Sequence, residues 1–364
     1  MNPNKTAIIF NNDERKNNFN ILRFIAAVMV IYGHMFPLLG LHQNLLLNQN
    51  VSTIAVKIFM LISGYLVTQS YLREKQFLYY VIKRVFRIFP ALIFCIVITV
   101  FVIGPMFTAV PVSEYFSNSQ TYFYLYKNIL LSPVYSLTGV FGDNIYPNAV
   151  NGSLWTLPIE FALYFIFPFI VYVFSRMKGK KIIYYCVTIG VCVLSIILLK
   201  YFPGKVIVIY GTNIIEAVYI GVYFFIGGLF SLIDLKKYLN IQIASIAFFV
   251  AVCLGNFGNI KMEILTLILL PYFVFSFAFA EKAFFSKCFS KNDYSYGIYL
   301  WGFVIQQIFT HLLVKYEVRF NYYLLFSILG ALICAIVSWH FIERPAQDMG
   351  RKLIKTIKTR RGRE

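Results

Sequence analysis

Three short stretches hold the side chains able to do chemistry. In ILRFIAAVMVIYGHMFPLLG, residues 21–40, an arginine and a histidine interrupt an otherwise apolar run. Eleven residues of helix turn back to within about 20° of the starting direction and rise roughly 16 Å, so Arg23 and His34 share one face at two depths. Each ionisable group near the middle of hydrocarbon costs at least about 2.5 kcal/mol, which makes the pair a candidate pathway or site. The plain alternatives are an arginine snorkelling to the interface and a histidine bonded to a neighbouring helix.

The second stretch is YYVIKRVFRIFP, residues 79–90. Arg84 and Arg87 are three apart and share a helical face, with Lys83 beside them. Guanidinium forks bind phosphate oxygens bidentately, and with Arg23 facing the same compartment these residues suggest a phosphate-rich ligand. The inward bias of positive charge in membrane proteins accounts for the same residues without a ligand.

The third is NGSLWTLPIEF, residues 151–161, which closes the longest outer loop, 111–156. Pro158 and Glu160 suit the first turn of a helix, and Glu160 could equally orient the His34 imidazole for general-base work. Asn151, Ser153 and Trp155, with Asp143, Asn144 and Asn148 nearby, are residue types that bind sugars through hydroxyl hydrogen bonds and ring stacking. They are also turn formers, and Asn151-Gly152-Ser153 is a glycosylation tripeptide of low specificity.

The elements that must position these residues follow from composition. Of 364 residues, 59% are hydrophobic and 13% charged, and the mean hydropathy of +0.71 excludes an ordinary soluble domain. The expected fold is all-α, a polytopic integral membrane protein of about ten transmembrane helices. Apolar runs fall at 19–39, 51–72, 88–110, 157–175, 182–200, 214–233, 240–256, 262–280, 294–314 and 322–341, with a shorter interfacial or re-entrant helix at 121–137. With the N-terminus inside, 25 Lys and Arg fall in cytoplasmic segments and 6 in outer loops, which places both termini in the cytoplasm. The chain then divides into a cytoplasmic segment 1–18, a membrane domain 19–343 and a basic cytoplasmic tail 344–364.

This topology also explains the net charge of +18 without nucleic acid, because the tail RKLIKTIKTRRGR most simply meets anionic lipid headgroups. The first apolar run lacks the short core and cleavage site of a signal peptide and reads as an uncleaved span. The cysteines, Cys95, Cys186, Cys192, Cys253, Cys288 and Cys334, show no CxxC spacing and suggest neither disulfides nor a metal site. A transporter, for instance a flippase of lipid-linked glycan, is the rival class. No repeat at a fixed offset supports it, and the concentration of polar residues in three spans suits a single site better.

As an ordered set, Arg23 and His34, FMLISGYL at 59–66, KRVFRIFPA at 83–91, NGSLWTLPIE at 151–160, YSYGIYLWGFVIQQ at 294–307 and WHFIERP at 339–345 resemble the membrane acyltransferase-3 family. These are bacterial inner-membrane enzymes that acylate, commonly O-acetylate, cell-surface polysaccharides and related glycans. The resemblance implies that His34 is the essential histidine, Arg23 the arginine of the first span, and Arg84 and Arg87 the pair that serves an acyl-CoA donor, acetyl-CoA in the commonest case; Arg23 could assist with the donor's phosphates, and no metal is needed because thiolate is already a good leaving group. A surface polysaccharide or lipid-linked glycan is the implied acceptor. Many members carry a second histidine after IYLW in the ninth span, whereas Gly302 follows Trp301 here, so no catalytic role is expected at that point. The hydrolase-like domain that some members carry after the membrane part is not expected either.

Overall fold

In a computed structural model of the chain, residues 17–74, 76–174, 180–233, 236–254, 259–280, 292–313 and 319–361 are described. Most of the segment expected at 1–18, the Lys-bearing loop 282–291 with Cys288, and the last residues of the basic tail lie outside them.

Among the described residues the fold is helical, with two small hairpins. Helix α1 (Phe19–Leu38) leads through strands β1 (Leu45–Leu46) and β2 (Gln49–Asn50) into α2 (Val51–Arg73). Leu47 and Asn48 join those strands with φ of 52° and 56°, the left-handed pair that a two-residue turn needs to match strand twist. Helix α3 (Phe77–Ile98) continues through a π-helical turn (Thr99–Ile103) into α4 (Gly104–Phe107), followed by the short helices α5 (Val112–Ser117) and α6 (Ser119–Ile129). After the irregular stretch 130–155 come α7 (Thr156–Phe174) and α8 (Lys180–Tyr201), then a second hairpin, β3 (Val208–Ile209) with β4 (Thr212–Asn213). The remainder is α9 (Ile214–Leu232), α10 (Ile241–Cys253), α11 (Asn259–Ala278), α12 (Ser295–Leu313) and α13 (Phe320–Ser338), which passes through a π-helical turn (Trp339–Glu343) into α14 (Arg344–Arg361).

Eight helices among the described residues are long and apolar enough to cross a membrane, and the chain is an all-α polytopic membrane protein. The other two expected runs are also helical. Helix α12 has the length but carries buried Gln306, Gln307 and Thr310, while α10 has only 13 residues. Two boundaries differ from the sequence reading. The third span begins at Phe77 rather than residue 88, so Lys83, Arg84 and Arg87 sit inside a continuous 31-residue helical stretch. Partners described below make those charges tolerable there. The tenth continues without a break into the basic tail, as a stretch of 41 residues ending at Arg360.

Helix α2 lies at the centre, packed against α1, α7 and α9. Its contact with α9 is backbone to backbone: a β-carbon on Gly64 would lie 2.0 Å from the Phe224 carbonyl oxygen, and one on Gly227 would lie 2.1 Å from that of Leu61. Small residues let membrane helices approach this closely. The same region buries a polar network in which Lys57 donates to Glu263 Oε2 at 2.9 Å and Gln49 Oε1 at 2.6 Å. Tyr219 and Tyr223 donate to Glu263 at 2.6 and 3.0 Å. Every charge in this network has a partner, which is the condition for burying one.

If the glycine contact sets the α2–α9 distance, Gly64→Ala or Gly227→Ala should destabilise the detergent-solubilised protein by about 1–3 kcal/mol, the usual range for overpacking. Gly190→Ala on α8, where a β-carbon meets nothing within 4 Å, should be neutral or slightly stabilising. Thermal unfolding followed by intrinsic fluorescence separates the cases, and equal melting temperatures for all three variants would contradict the assignment.

Candidate active site

A cavity of about 450 Å³ opens at one end of the bundle, between α1, α2, α3, α7 and α14. Arg23, Lys83, Arg84 and Arg87 all line it, so the structure brings together the four cations singled out in the sequence. Their partners differ. Arg23 and Arg87 each donate to the same oxygen, Asp293 Oδ2, at 2.7 Å. Asp293 lies just before α12, and its other oxygen accepts from the Ser295 backbone N–H at 3.2 Å and hydroxyl at 2.5 Å, an Asx arrangement at the helix start. Burial by itself would raise the Asp293 pKa, but the guanidinium groups of Arg23 and Arg87 and the Ser295 bonds outweigh it and hold the carboxyl well below the usual range.

Glu343, set by the π-helical turn before α14, stands 3.7 Å from Arg87 and accepts from Ser338 Oγ at 3.0 Å. Lys83 is ion-paired with Glu74. Arg84 alone of the four has no carboxylate partner among the described residues. Its guanidinium lies over the rings of Tyr80 and Tyr164, 5.7 and 5.6 Å from their centroids, with Ser70 Oγ at 3.4 Å. The Nε groups of both Arg23 and Arg84 are buried without a hydrogen-bond partner.

Deeper in the bundle, a narrow space of about 30 Å³ is also lined by Arg23, together with Phe59, Thr156, Glu160, Tyr296 and Tyr299. Glu160 Oε1 accepts from Ser63 Oγ at 2.7 Å and from Tyr164 OH at 2.5 Å. No hydrogen bond joins Glu160 to His34. The carboxylate belongs to the Arg23 side of the interior, where one helical turn of α7 carries it past the outer loop.

His34 lies toward the opposite end of α1. Its ring meets Phe303 of α12 edge-on at 5.3 Å and 74°, and its Nδ1 is buried without a hydrogen-bond partner among the described residues. The 151–155 loop covers the same aromatic ring, since a β-carbon on Gly152 would lie 2.6 Å from Phe303 Cε2. Asn151 is buried and donates to the Leu300 carbonyl at 2.9 Å while accepting from the Ser153 N–H at 3.1 Å, so its amide shapes the loop. Ser153 is buried with an unpartnered Oγ, and Trp155 is half-buried against the core. Asn144 is committed to Gln307, whose Oε1 lies 2.7 Å away, and to His311 Nδ1 at 3.1 Å. Gly302, the departure noted above, allows α1 to approach α12: a β-carbon there would lie 3.0 Å from Ile31 Cγ1.

A cationic cavity and an imidazole thus occupy two depths along one helix, beneath a polar loop. Residues 16–340 match the acyltransferase-3 family, described as an acyltransferase domain. The chain belongs to that family. It is similar to the O-acetyl transferase of Shigella phage Sf6, at 27% identity over 335 residues that cover 91% of this chain and 96% of that protein. A shorter similarity, 30% over 174 residues, is to Nodulation protein 10 of Rhizobium leguminosarum bv. viciae, covering 45% of this chain and 46% of that protein. No solved structure matches the chain.

Sequence reasoning missed two groups that organise this acyltransferase, Asp293 and Glu343. Asp293 is the last acid before the ninth apolar run, a capping signal that was legible. Glu343 stands in the WHFIERP motif, but nothing in the sequence shows that a π-helical turn aims it at Arg87.

Removing Asp293 leaves two guanidinium groups side by side without their shared counter-ion. Loss of one partner from a buried pair typically costs about 3–5 kcal/mol. Asp293→Ala should therefore lower the melting temperature strongly, and Asp293→Asn, which keeps an acceptor for Ser295, should lower it less. Because the folded-state pKa is depressed, this contribution is present above the ordinary carboxylate pKa and is lost only as pH falls toward the depressed value. The gap between wild type and Asp293→Asn should stay constant from about pH 8 to pH 5. A wild-type melting temperature for Asp293→Ala would refute the role.

Proposed function

We propose that this acyltransferase moves an acyl group, acetyl in the simplest case, from cytoplasmic acyl-CoA to a hydroxyl of a cell-surface polysaccharide or lipid-linked glycan precursor. The observation that carries the proposal is the pairing along α1 of an arginine-lined cavity with an imidazole, separated by roughly 16 Å of helix rise. The Lys and Arg distribution puts the cavity on the cytoplasmic side, where acyl-CoA is found, and the His34 end on the outer side of a bacterial inner membrane. The similarity to a phage O-acetyl transferase supports acetyl and a hydroxyl acceptor. Membership of an acyltransferase family favours this reading over the flippase.

In this mechanism the donor's phosphates meet Arg84, the cation with no internal carboxylate, while Arg23 and Arg87, held by Asp293, and Lys83, held by Glu74, shape the surrounding positive field. The pantetheine arm runs inward past Glu160, Tyr164 and Tyr299 toward His34. There the imidazole takes the proton from a sugar hydroxyl as its oxygen attacks the thioester carbonyl carbon. The carbon–sulfur bond breaks, the electron pair leaves on the CoA thiolate, and the new ester stays on the glycan. In the alternative route through an acyl-histidine, the imidazole would itself attack the thioester carbonyl and expel the CoA thiolate, and the sugar hydroxyl would then take the acyl group and release the imidazole. Ser153 and Trp155, in the loop packed over Phe303, are assigned to the acceptor side. The basic helix α14 would rest on anionic lipid headgroups.

His34→Ala should lower glycan acylation by about 10² to 10⁴-fold while leaving the melting temperature near wild type, as expected for loss of a general base. Arg84→Ala should weaken CoA binding by about 1.5–3 kcal/mol in calorimetry, with Arg84→Lys restoring only part of it. Normal acylation by the His34 variant, or unchanged CoA affinity in the Arg84 variant, would remove that residue from the mechanism. Orientation has its own test in a cysteine-free background. An impermeant maleimide should label Ile145→Cys, an exposed loop position, in intact spheroplasts, and Lys236→Cys only after lysis. The reverse pattern would put the arginine cavity on the face without CoA.

A further inference from the structure

The family match ends at residue 340, but the wall of the large cavity does not. Helix α14 supplies Gln347, Gly350 and Arg351 to it. The helix is seated firmly: a β-carbon on Gly350 would lie 2.9 Å from Cγ of Phe86 on α3, and Ile354 is buried. Lys358 stands 4.8 Å over the Tyr79 ring and 3.5 Å from Glu74. Gln347 Nε2 is buried without a hydrogen-bond partner, as are the Nε groups of Arg23 and Arg84 in the same cavity.

The cations of the cavity divide into two sets. Arg23 and Arg87 are held by Asp293, and Lys83 by Glu74. Arg84 on the inner wall has no carboxylate among the described residues. Among the described residues Arg351 on the α14 wall pairs with Asp348 of its own helix alone, and both side chains are largely exposed, so the pair is weak and readily exchanged. Two available guanidinium groups therefore line one cavity, Arg84 from α3 and Arg351 from α14, together with the amide of Gln347.

We propose that α14 is part of the donor site, and that Arg351 and Gln347 bind the ribose 3′-phosphate of acyl-CoA while Arg84 binds the diphosphate. The proposal rests on the reading that acyl-CoA is the donor. Its polarity follows from the chemistry of that molecule. The acyl-bearing arm extends from the diphosphate, so an arm directed inward toward His34 puts the diphosphate at the inner wall. The nucleotide, with its separate monophosphate, is left at the rim formed by α14. Arginine and a side-chain amide are suited to a phosphate monoester, as charge-assisted and neutral donors to its oxygens. An anionic lipid headgroup presents the same phosphate chemistry to a basic helix at the membrane surface, and the test separates the two sources.

Binding is measured by calorimetry on the full chain in nanodiscs of zwitterionic lipid, with CoA and with 3′-dephospho-CoA, and repeated with anionic lipid included. Arg351→Ala and Gln347→Leu should weaken CoA by about fivefold or more and leave 3′-dephospho-CoA unchanged. Arg84→Ala should weaken both ligands. Arg351 is exposed, so its alanine variant should melt with wild type, which separates lost contacts from lost folding. Wild-type CoA affinity for Arg351→Ala in zwitterionic discs, with Arg84→Ala impaired, would overturn the role of α14 and leave the donor reading intact. An effect of Arg351→Ala seen only in anionic discs would assign the residue to lipid and also overturn it. Unchanged binding in all three variants would overturn the donor reading itself.

Discussion

Two guanidinium groups converge on one carboxylate oxygen at 2.7 Å, and the cationic cavity of this acyltransferase is arranged around that contact. Arg23 comes from α1, Arg87 from α3, and Asp293 from the approach to α12, so one charge triad fixes three elements that are far apart in sequence. Taken singly, each arginine would be driven to the interface, because solvating a charge inside the bilayer is too costly. Shared neutralisation lets α3 start at Phe77 and carry its cations inside the helical bundle. Ion triads of this kind add little net stability relative to well-packed apolar groups, but they are strongly unfavourable when broken. The triad therefore fixes an arrangement more than it adds stability, and of the four cavity cations singled out in the sequence it leaves Arg84 without a carboxylate partner among the described residues.

The molecule contains a second buried ionic group, and the contrast between the two is informative. Around Lys57 and Glu263, the ammonium group and both carboxylate oxygens are engaged, by Gln49, Tyr219 and Tyr223 as well as by each other. Such a network ties α2, α9 and α11 together and offers nothing to a ligand. At the other group, Arg23 Nε, Arg84 Nε and Gln347 Nε2 are buried and unpartnered, and His34 Nδ1 is in the same condition farther along α1. Buried polar groups are rarely left unsatisfied in folded proteins. Three such side chains, Arg23, Arg84 and Gln347, line one cavity, whereas the polar atoms of the Lys57 and Glu263 pair are all engaged.

Much of this was legible in the sequence, for reasons that also mark the limit. Span lengths follow from bilayer thickness, so all ten runs are found as helices; the tenth runs on into the basic tail and the third is shifted at its start. That exception, α3, is the helix whose charges find a distant partner, and hydropathy read along the chain cannot register a counter-ion 206 residues away. The same limit explains Glu160. Its position at the head of α7 suggested an outer carboxylate beside His34, whereas Ser63 and Tyr164 hold it on the Arg23 side. Asn151 was read as a sugar-binding type, and its amide is instead committed to the Leu300 carbonyl and the Ser153 N–H. Helical spacing reports which residues share a face; it does not report which neighbour that face meets.

The two ends of the site are held in register by a single pair of helices. At one end Asp293, ahead of α12, binds Arg23 of α1, and at the other Phe303 of α12 meets His34. Gly302 admits Ile31 against the α12 backbone between them, and just beyond Phe303 the Gln306 amide donates to the Ile31 carbonyl at 2.8 Å. Eleven residues separate the two contacts on α1, and ten separate them from Asp293, two residues ahead of α12, to Phe303 within it. Sliding one helix past the other would break contacts at both ends, and along α1 the separation is roughly 16 Å. On the proposed mechanism the protein has no need to carry the acyl group across this distance by rearranging. A donor anchored at the arginines must reach the imidazole with its own arm, so the pairing of α1 and α12 selects for carriers whose reactive carbon lies at the end of a long flexible chain.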